Sequence, residues 1–293
     1  MCRFVYYQGE PIRLGELLTE PAHSLIHQSF HSHERSEPLN GDGFGVGWYV
    51  VDDELLARFR SVSPAWSNMN LRELSRVTVS PRILAHVRAA TPGTGVAENN
   101  CHPFRMPGLA FMHNGDLGGF PLYRRDLLEG VSDAAFHAVK GTTDSEHFLA
   151  LLWDAWAEGG DGIDDGAGND DGAERLADAF ETALARVLEL REASGTRDHI
   201  YLNCLVTDGH DAVACRFTTD EPTRADTLYR HLGRRYRCRD GTAELVPCPD
   251  DRSSVLVSSE PLTPDEEWQP ITVGDLVLIS ADQTVRSRQI SLG

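Results

Sequence analysis

The sequence predicts a layered α+β domain, and three observations predict it. Glycine alternates with bulky residues between Gly41 and Val50, two helical stripes occupy the middle of the chain, and short apolar runs return near its end. Strands, then helices, then strands again fit segregated layers and not alternating βαβ units. No internal repeat is visible, and the expectation is a single domain over residues 2–293.

Each element has its own reason. Cys2–Tyr7 is a short apolar run that reads as a strand, and residues 12–29 carry mixed helical signals. Gly41–Val50 has period-two alternation with one bare face. Glycine weakens a strand by roughly 0.5–1 kcal/mol relative to alanine, so another part of the chain must approach that face closely. Pro81–Ala90 and Leu109–His113 read as further strands. Thr143-Asp-Ser-Glu146 is a capping box that opens a helix, with Phe148, Leu151, Leu152, Ala155 and Trp156 on one stripe. A Gly/Asp-rich stretch at about 158–174 has almost no apolar residue and reads as a disordered surface insertion. Leu176, Phe180, Leu184, Val187 and Leu188 form a second helical stripe. Ile200–Thr207, Ala212–Thr218, Ser254–Ser258 and Asp275–Ile279 complete the strands.

Composition narrows the function. With 41% hydrophobic residues the chain can bury a core, and no run of eighteen apolar residues suits a membrane span. The start, Met-Cys-Arg-Phe, lacks the layout of a secretion signal, so a cytoplasmic location is expected. A net charge of −18 repels nucleic acid and anionic membrane alike. Six dispersed cysteines without a Cys-x-x-Cys pair make neither a disulfide scaffold nor a structural zinc site. His23, His27, His31 and His33 have no acidic third ligand at motif spacing, so no metal and no cofactor is expected.

Four places carry chemistry. Loss of Met1 would leave Cys2 with a thiol and a free α-amine, whose pKa of about 7.7–8.0 suits it to take the thiol proton. Taken alone, Met-Cys is uninformative. Arg88, in Ala85-His-Val-Arg-Ala-Ala-Thr91, presents a fork that binds carboxylates, and a structural ion pair explains it equally well. Asn114-Gly115 after an apolar strand is ordinarily a turn. Alternatively, the Asn114 amide and the Gly115 N–H form an oxyanion hole, in which such a donor stabilises a tetrahedral intermediate by roughly 3–4 kcal/mol. Asp144 either anchors a substrate ammonium or only stabilises the helix dipole, an effect of about 0.3–1 kcal/mol.

Taken together these residues resemble a family. Met-Cys-Arg, Asn40-Gly-Asp-Gly-Phe-Gly45, His86-x-Arg88-x-x-Thr91, Asn100-Cys-His-Pro103, His113-Asn-Gly115 and Thr143-Asp144 occur in the order seen in class II glutamine amidotransferases, and Ser258-Ser-Glu-Pro-Leu262 extends the likeness. The resemblance implies a four-layer αββα sandwich of the N-terminal-nucleophile hydrolase type. It makes Cys2 nucleophile and base, Asn114 with Gly115 the oxyanion hole, Arg88 and Thr91 the α-carboxylate site, and Asp144 the α-ammonium site. It puts His113 and Asn40 with the substrate-binding residues and His102 beside the site as a structural neighbour. The implied partner is a small γ-glutamyl substrate.

Departures sharpen the reading. Ammonia-channelling members carry Trp after the arginine and His-Gly after the threonine, where this chain has Ala89 and Pro92-Gly93. No synthase module fits in what remains of these residues, so hydrolysis is expected, with a partner peptidase or synthase subunit and a homo-oligomer left open. The segments 21–29, 39–43, 64–71 and 141–146 look like the stand-alone branch that degrades glutathione in fungi. The sister branch, acting in ergothioneine synthesis, usually starts Met-Cys-Arg-His and carries Asn-Ala-Asp-Gly, against Phe4 and Gly41 here. Glutathione-like or glutamine substrates are therefore favoured. The rivals are the ergothioneine-pathway hydrolase, a glutaminase subunit and a non-catalytic glutamine or glutathione sensor. The sequence leaves the leaving amine unidentified.

Overall fold

The computed structural model describes residues 2–32, 39–50, 53–90, 95–159, 172–248, 253–264 and 266–292. In chain order the strands are β1 (Arg3–Arg13), β2 (Phe44–Val50), β3 (Asp53–Ser61), β4 (Val79–Val87), β5 (Phe104–Met106), β6 (Leu109–Leu117), β7 (Ile200–Thr207), β8 (Ala212–Thr218), β9 (Tyr229–Arg239), β10 (Thr242–Pro247), β11 (Ser254–Ser258), β12 (Gln269–Pro270), β13 (Asp275–Ile279) and β14 (Val285–Gln289). The helices are α1 (Leu14–Leu18), α2 (Leu25–Gln28), α3 (Met69–Val77), α4 (Phe120–Glu129), α5 (Asp133–Ala138), α6 (Asp144–Glu158) and α7 (Gly172–Ser194). The chain divides into two compact units, residues 1–103 with 227–271 and residues 104–226 with 272–293.

The first unit is built on an antiparallel sheet of order β10-β9-β11-β1-β4-β2-β3, with β12 added on β9. Its first strand is therefore central, with Val5 paired to Ala85 of β4 on one side and to Ser258 of β11 on the other. Val5, Tyr7, Phe44, Val46, Ile83, Ala85 and Leu256 bury one face together with Leu14, Leu17 and Leu71 from the helices. The bare face of β2 is covered as its glycines require. A Cβ on Gly45 would stand 2.0 Å from the His102 carbonyl oxygen, and one on Gly47 about 3.0 Å from Leu56 and Pro103. The obstacle at Gly45 is backbone, so no side chain fits there.

The second unit has an antiparallel sheet of order β14-β13-β8-β7-β6-β5. Phe111, Leu202, Cys204, Val213, Cys215, Leu276 and Leu278 pack with Phe148, Leu152, Leu176, Phe180 and Leu184 from α6 and α7. Both helical stripes thus serve as core faces, and the Phe148 and Phe180 rings meet edge-on at 5.5 Å. Thr143 caps α6 by accepting from Glu146 N at 3.2 Å. The Glu146 carboxylate accepts from the Lys140 and Gly141 N–H groups, tying the preceding loop to the helix. The middle of the expected insertion, residues 160–171, lies outside the described residues; α6 ends at Glu158 and α7 begins at Gly172.

Some boundaries differ from expectation. β1 runs on to Arg13, and residues 12–29 hold the two short helices α1 and α2. β6 continues through Asn114-Gly115 to Leu117, so this Asn-Gly pair is strand and not turn. β3, α3, α4, α5, β9 and β10 were not evident from periodicity. In β9 the alternation is short, confined to Arg235–Arg239 after the positive-φ Gly233. Its arginine charges pair outward, Arg235 with Glu10, Arg237 with Glu244 and Arg234 with Glu267, while Tyr236 and Cys238 point inward. Among the described residues no helix is long and apolar enough to cross a membrane.

Candidate active site

The first unit supplies Cys2, Asn40 and Arg88. Cys2 stands half-buried immediately before β1, and its thiol donates to the Ala89 carbonyl at 3.5 Å. Arg88, the neighbour of Ala89, is buried at the end of β4. Its backbone pairs with the Asn40–Gly43 loop, Arg88 N to the Gly43 carbonyl at 2.9 Å and Asp42 N to the Arg88 carbonyl at 3.0 Å. Its guanidinium reaches the Asp42 and Gly95 carbonyls at 3.5 Å each, at the outer limit of hydrogen bonding. The Asp42 carboxylate turns instead to Ala90 N at 2.8 Å. Thr91 and His33 lie outside the described residues.

Behind Cys2 lies a buried charge network. Arg3 is 3% exposed and Glu260 2%, and Arg3 Nε meets the Glu260 carboxylate at 3.0 Å. Arg3 Nη1 donates to Asn40 Oδ1, Ser32 donates to Glu260, and His23 Nε2 lies 3.5 Å from the second Glu260 oxygen. Asn40 is fully buried and engaged with Arg3, and His27 meets the Phe30 ring at a tilt and the His31 ring edge-on. The Cys101 thiol donates to the Ser61 and Ala97 carbonyls at 3.6 Å, and burial pushes its pKa up against the pull of Arg88 and Arg60. It is a protonated packing thiol. His102 stacks on His86 with ring centres 4.1 Å apart, and its carbonyl covers Gly45.

The second unit supplies His113, Asn114, Gly115 and Asp144. Gly115 has φ +152°, and a Cβ there would lie 1.8 Å from the Tyr201 carbonyl oxygen, so only glycine can occupy the position. His113 ties β6 to α6, with Nδ1 2.9 Å from Ser145 Oγ and Nε2 3.1 Å from the Tyr201 carbonyl. Burial pushes its pKa down, opposed by Asp144. Asp144 accepts from Leu117 N and Ser145 N at 2.8 and 2.7 Å, which fixes its carboxylate beside the end of β6. Between them Asp116 keeps one edge in solvent. Desolvation of the other edge, then repulsion from Asp144 and Asp198, pushes its carboxyl up to about 6. The Asn114 amide is buried, with Nδ2 3.2 Å from the Asp226 carboxylate.

Arg3, Glu260, Ser145 and Asp226 are therefore site neighbours that reasoning on the sequence did not single out. Arg3 and Glu260 fell within recognised segments, and Ser145 within the capping box. Nothing local marked Asp226.

Comparisons with known proteins bear on the family and the fold. The family described as "Glutamine amidotransferases class-II" matches residues 18–291. The chain is 36% identical over 297 aligned positions to "Probable glutamine amidotransferase DUG3" of Saccharomyces cerevisiae, covering 95% of this chain and 82% of that one. It is 35% identical over 281 positions to "Gamma-glutamyl-hercynylcysteine sulfoxide hydrolase" of Mycolicibacterium smegmatis, covering 94% and 95%. A solved glutamine aminotransferase class-II domain protein from Silicibacter pomeroyi matches with a TM-score of 0.66 and 27% identity, over 99% of this chain and all of that one. Likeness to solved structures bears out the α+β, αββα class of the N-terminal-nucleophile hydrolases. Family match, relatives and fold converge: this chain belongs to the class-II glutamine amidotransferases and is an enzyme of their γ-glutamyl amidohydrolase type.

Proposed function

We propose that this enzyme hydrolyses the γ-glutamyl amide of a glutathione-like or glutamine substrate through a thioester on Cys2. The observation that carries the reading is the thiol's hydrogen bond to the carbonyl of the residue after Arg88. It brings a nucleophile and a carboxylate-binding fork onto adjacent strand ends, as a short ω-amidated amino acid requires.

In this reading Met1 is lost and the α-amine of Cys2 takes the thiol proton. Arg88, with Thr91, receives the substrate α-carboxylate, and Asp144 the α-ammonium. The sulfur attacks the γ-carbonyl, and Asn114 with the Gly115 N–H holds the oxyanion. As the C–N bond breaks, the Cys2 ammonium returns a proton to the leaving amine. Water, deprotonated by the same amine, then attacks the thioester and releases glutamate and the thiol. Asn40 and His113 hold the surrounding loops and strand.

The motifs shared with the glutathione-degrading branch favour a cysteinyl peptide as leaving group. A second reading has a specific support, since a relative of nearly equal identity is named as a hydrolase of a γ-glutamyl sulfoxide. Release of glutamate from glutathione, glutamine and a γ-glutamyl cysteine sulfoxide, compared in one assay, separates the two.

Intact-mass spectrometry on untagged protein, before and after a diazoketone analogue of glutamine, tests the chemistry. A mass lacking Met1 that gains one adduct on Cys2 is expected. Processed, folded protein that takes no adduct, or full turnover with Met1 retained, would overturn the mechanism and raise the sensor reading.

A further inference from the structure

The Asn114 side chain is enclosed, and its two ends meet different surroundings. Nδ2 donates one proton to the Asp226 carboxylate at 3.2 Å, while Oδ1 is buried with no hydrogen-bond partner among the described residues. The two ends of a primary amide are nearly isosteric, so packing alone does not decide which points where. An ionised carboxylate only accepts, and therefore admits the NH2 end and repels the carbonyl end.

Asp226 is itself held in place. Its backbone carbonyl accepts from Asn203 Nδ2 at 3.0 Å and from Arg216 Nε at 2.8 Å, and Arg216 Nη2 bonds the Ala225 carbonyl at 3.1 Å. Asn114, Asn203 and Arg216 stand opposite one another on β6, β7 and β8. One polar row across the sheet thus ends in the amide at Asn114 and also anchors the segment that orients it.

We propose that Asp226 is a positioning residue for the reaction: it holds the Asn114 amide with nitrogen as donor, leaving the second N–H for the oxyanion. The inference rests on the preceding section for what Asn114 does in turnover, but not for how the amide is held. Without the carboxylate the amide can turn over and present Oδ1, a lone pair facing a developing negative charge.

The test is a double-mutant cycle on the full chain with a chromogenic γ-glutamyl anilide. Asp226→Ala is expected to lower kcat about 10- to 100-fold, with KM within about twofold, and to add nothing in an Asn114→Ala background. An equal loss in both backgrounds would make the role structural and overturn the proposal.

A second readout does not need turnover. The paired Asn114 side-chain N–H resonances, identified by their absence in Asn114→Ala, should be widely split in the wild type. The splitting should collapse in Asp226→Asn, which preserves volume should the alanine variant fail to fold. Unmoved resonances overturn the positioning even in an active enzyme. A collapsing pair in an enzyme without γ-glutamyl activity sinks the functional reading and leaves the positioning standing.

Discussion

Each unit holds its own candidate residues, and the two do so by different means. In the first, Cys2 and Arg88 sit at strand ends and the support behind them is a buried ion pair, Arg3 with Glu260, closed across 257 residues of chain. In the second, Asn114, Gly115 and Asp144 are set by one strand and the cap of one helix, through Leu117 N, Ser145 and His113. A buried charge network adds little net stability when complete but is costly when one partner is lost. A site set along one strand is most sensitive to a shift of the main chain.

The largest effect expected from this contrast lies at Glu260. Glu260→Ala leaves the Arg3 charge buried and should destabilise the protein by about 3–5 kcal/mol, with Glu260→Gln well below that. Urea unfolding measures both, and a loss under about 1 kcal/mol in the alanine variant would deny the network its supporting role.

Next is Gly115→Ala, where the added methyl meets the Tyr201 carbonyl and the backbone angle disfavours any side chain. A cost of about 2–4 kcal/mol is expected, with loss of activity in whatever protein still folds. Wild-type stability and turnover would show that β6 yields easily and that the contrast between the units is false.

The smallest effect is at Asp116. Its folded pKa of about 6 lies above the ordinary aspartate value of 3.8, so folding favours the protonated form. The penalty is absent below the unfolded pKa, grows as pH rises through the window between the two, and is complete above the folded value. Asp116→Asn should therefore stabilise the protein at pH 8, by less than about 1 kcal/mol because solvent reaches one edge, which urea unfolding measures. The gain should fade as pH falls from 6 towards 4. A gain that persists unchanged at pH 4 would mean that the side chain, and not its charge, is strained.

What was legible in the sequence follows the same divide. β7, β8, β11 and β13 match their expected bounds because each is an apolar run closed by turn residues. The Thr143 cap and both helical stripes are local patterns, and they stand as read. Asn114 with Gly115 stood out only through the family resemblance, since Asn-Gly reads locally as a turn and β6 instead runs on to Leu117, whereas Asp144 lies in the first turn that the Thr143 cap marks. The polar partnerships were not legible. Forty-five acidic residues could have served an arginine or an amide, and nothing local selects Glu260 for Arg3 or Asp226 for Asn114, which lies 112 positions away. β9 was hidden because its alternation, Arg235-Tyr-Arg-Cys-Arg239, is only five residues long and follows Gly233 at positive φ, which interrupts the pattern.

The central place of β1 has a consequence for the chain's biosynthesis. β4 emerges from the ribosome early and can pair with one edge of β1, but β11 on the other edge is among the last strands made. At about 5–20 residues per second, translation leaves that edge open for roughly ten seconds or more after β4 appears. The first unit cannot close during this interval, whereas residues 104–226 of the second are already available to fold. β1, the strand that follows Cys2, therefore stays open along one edge until late in synthesis.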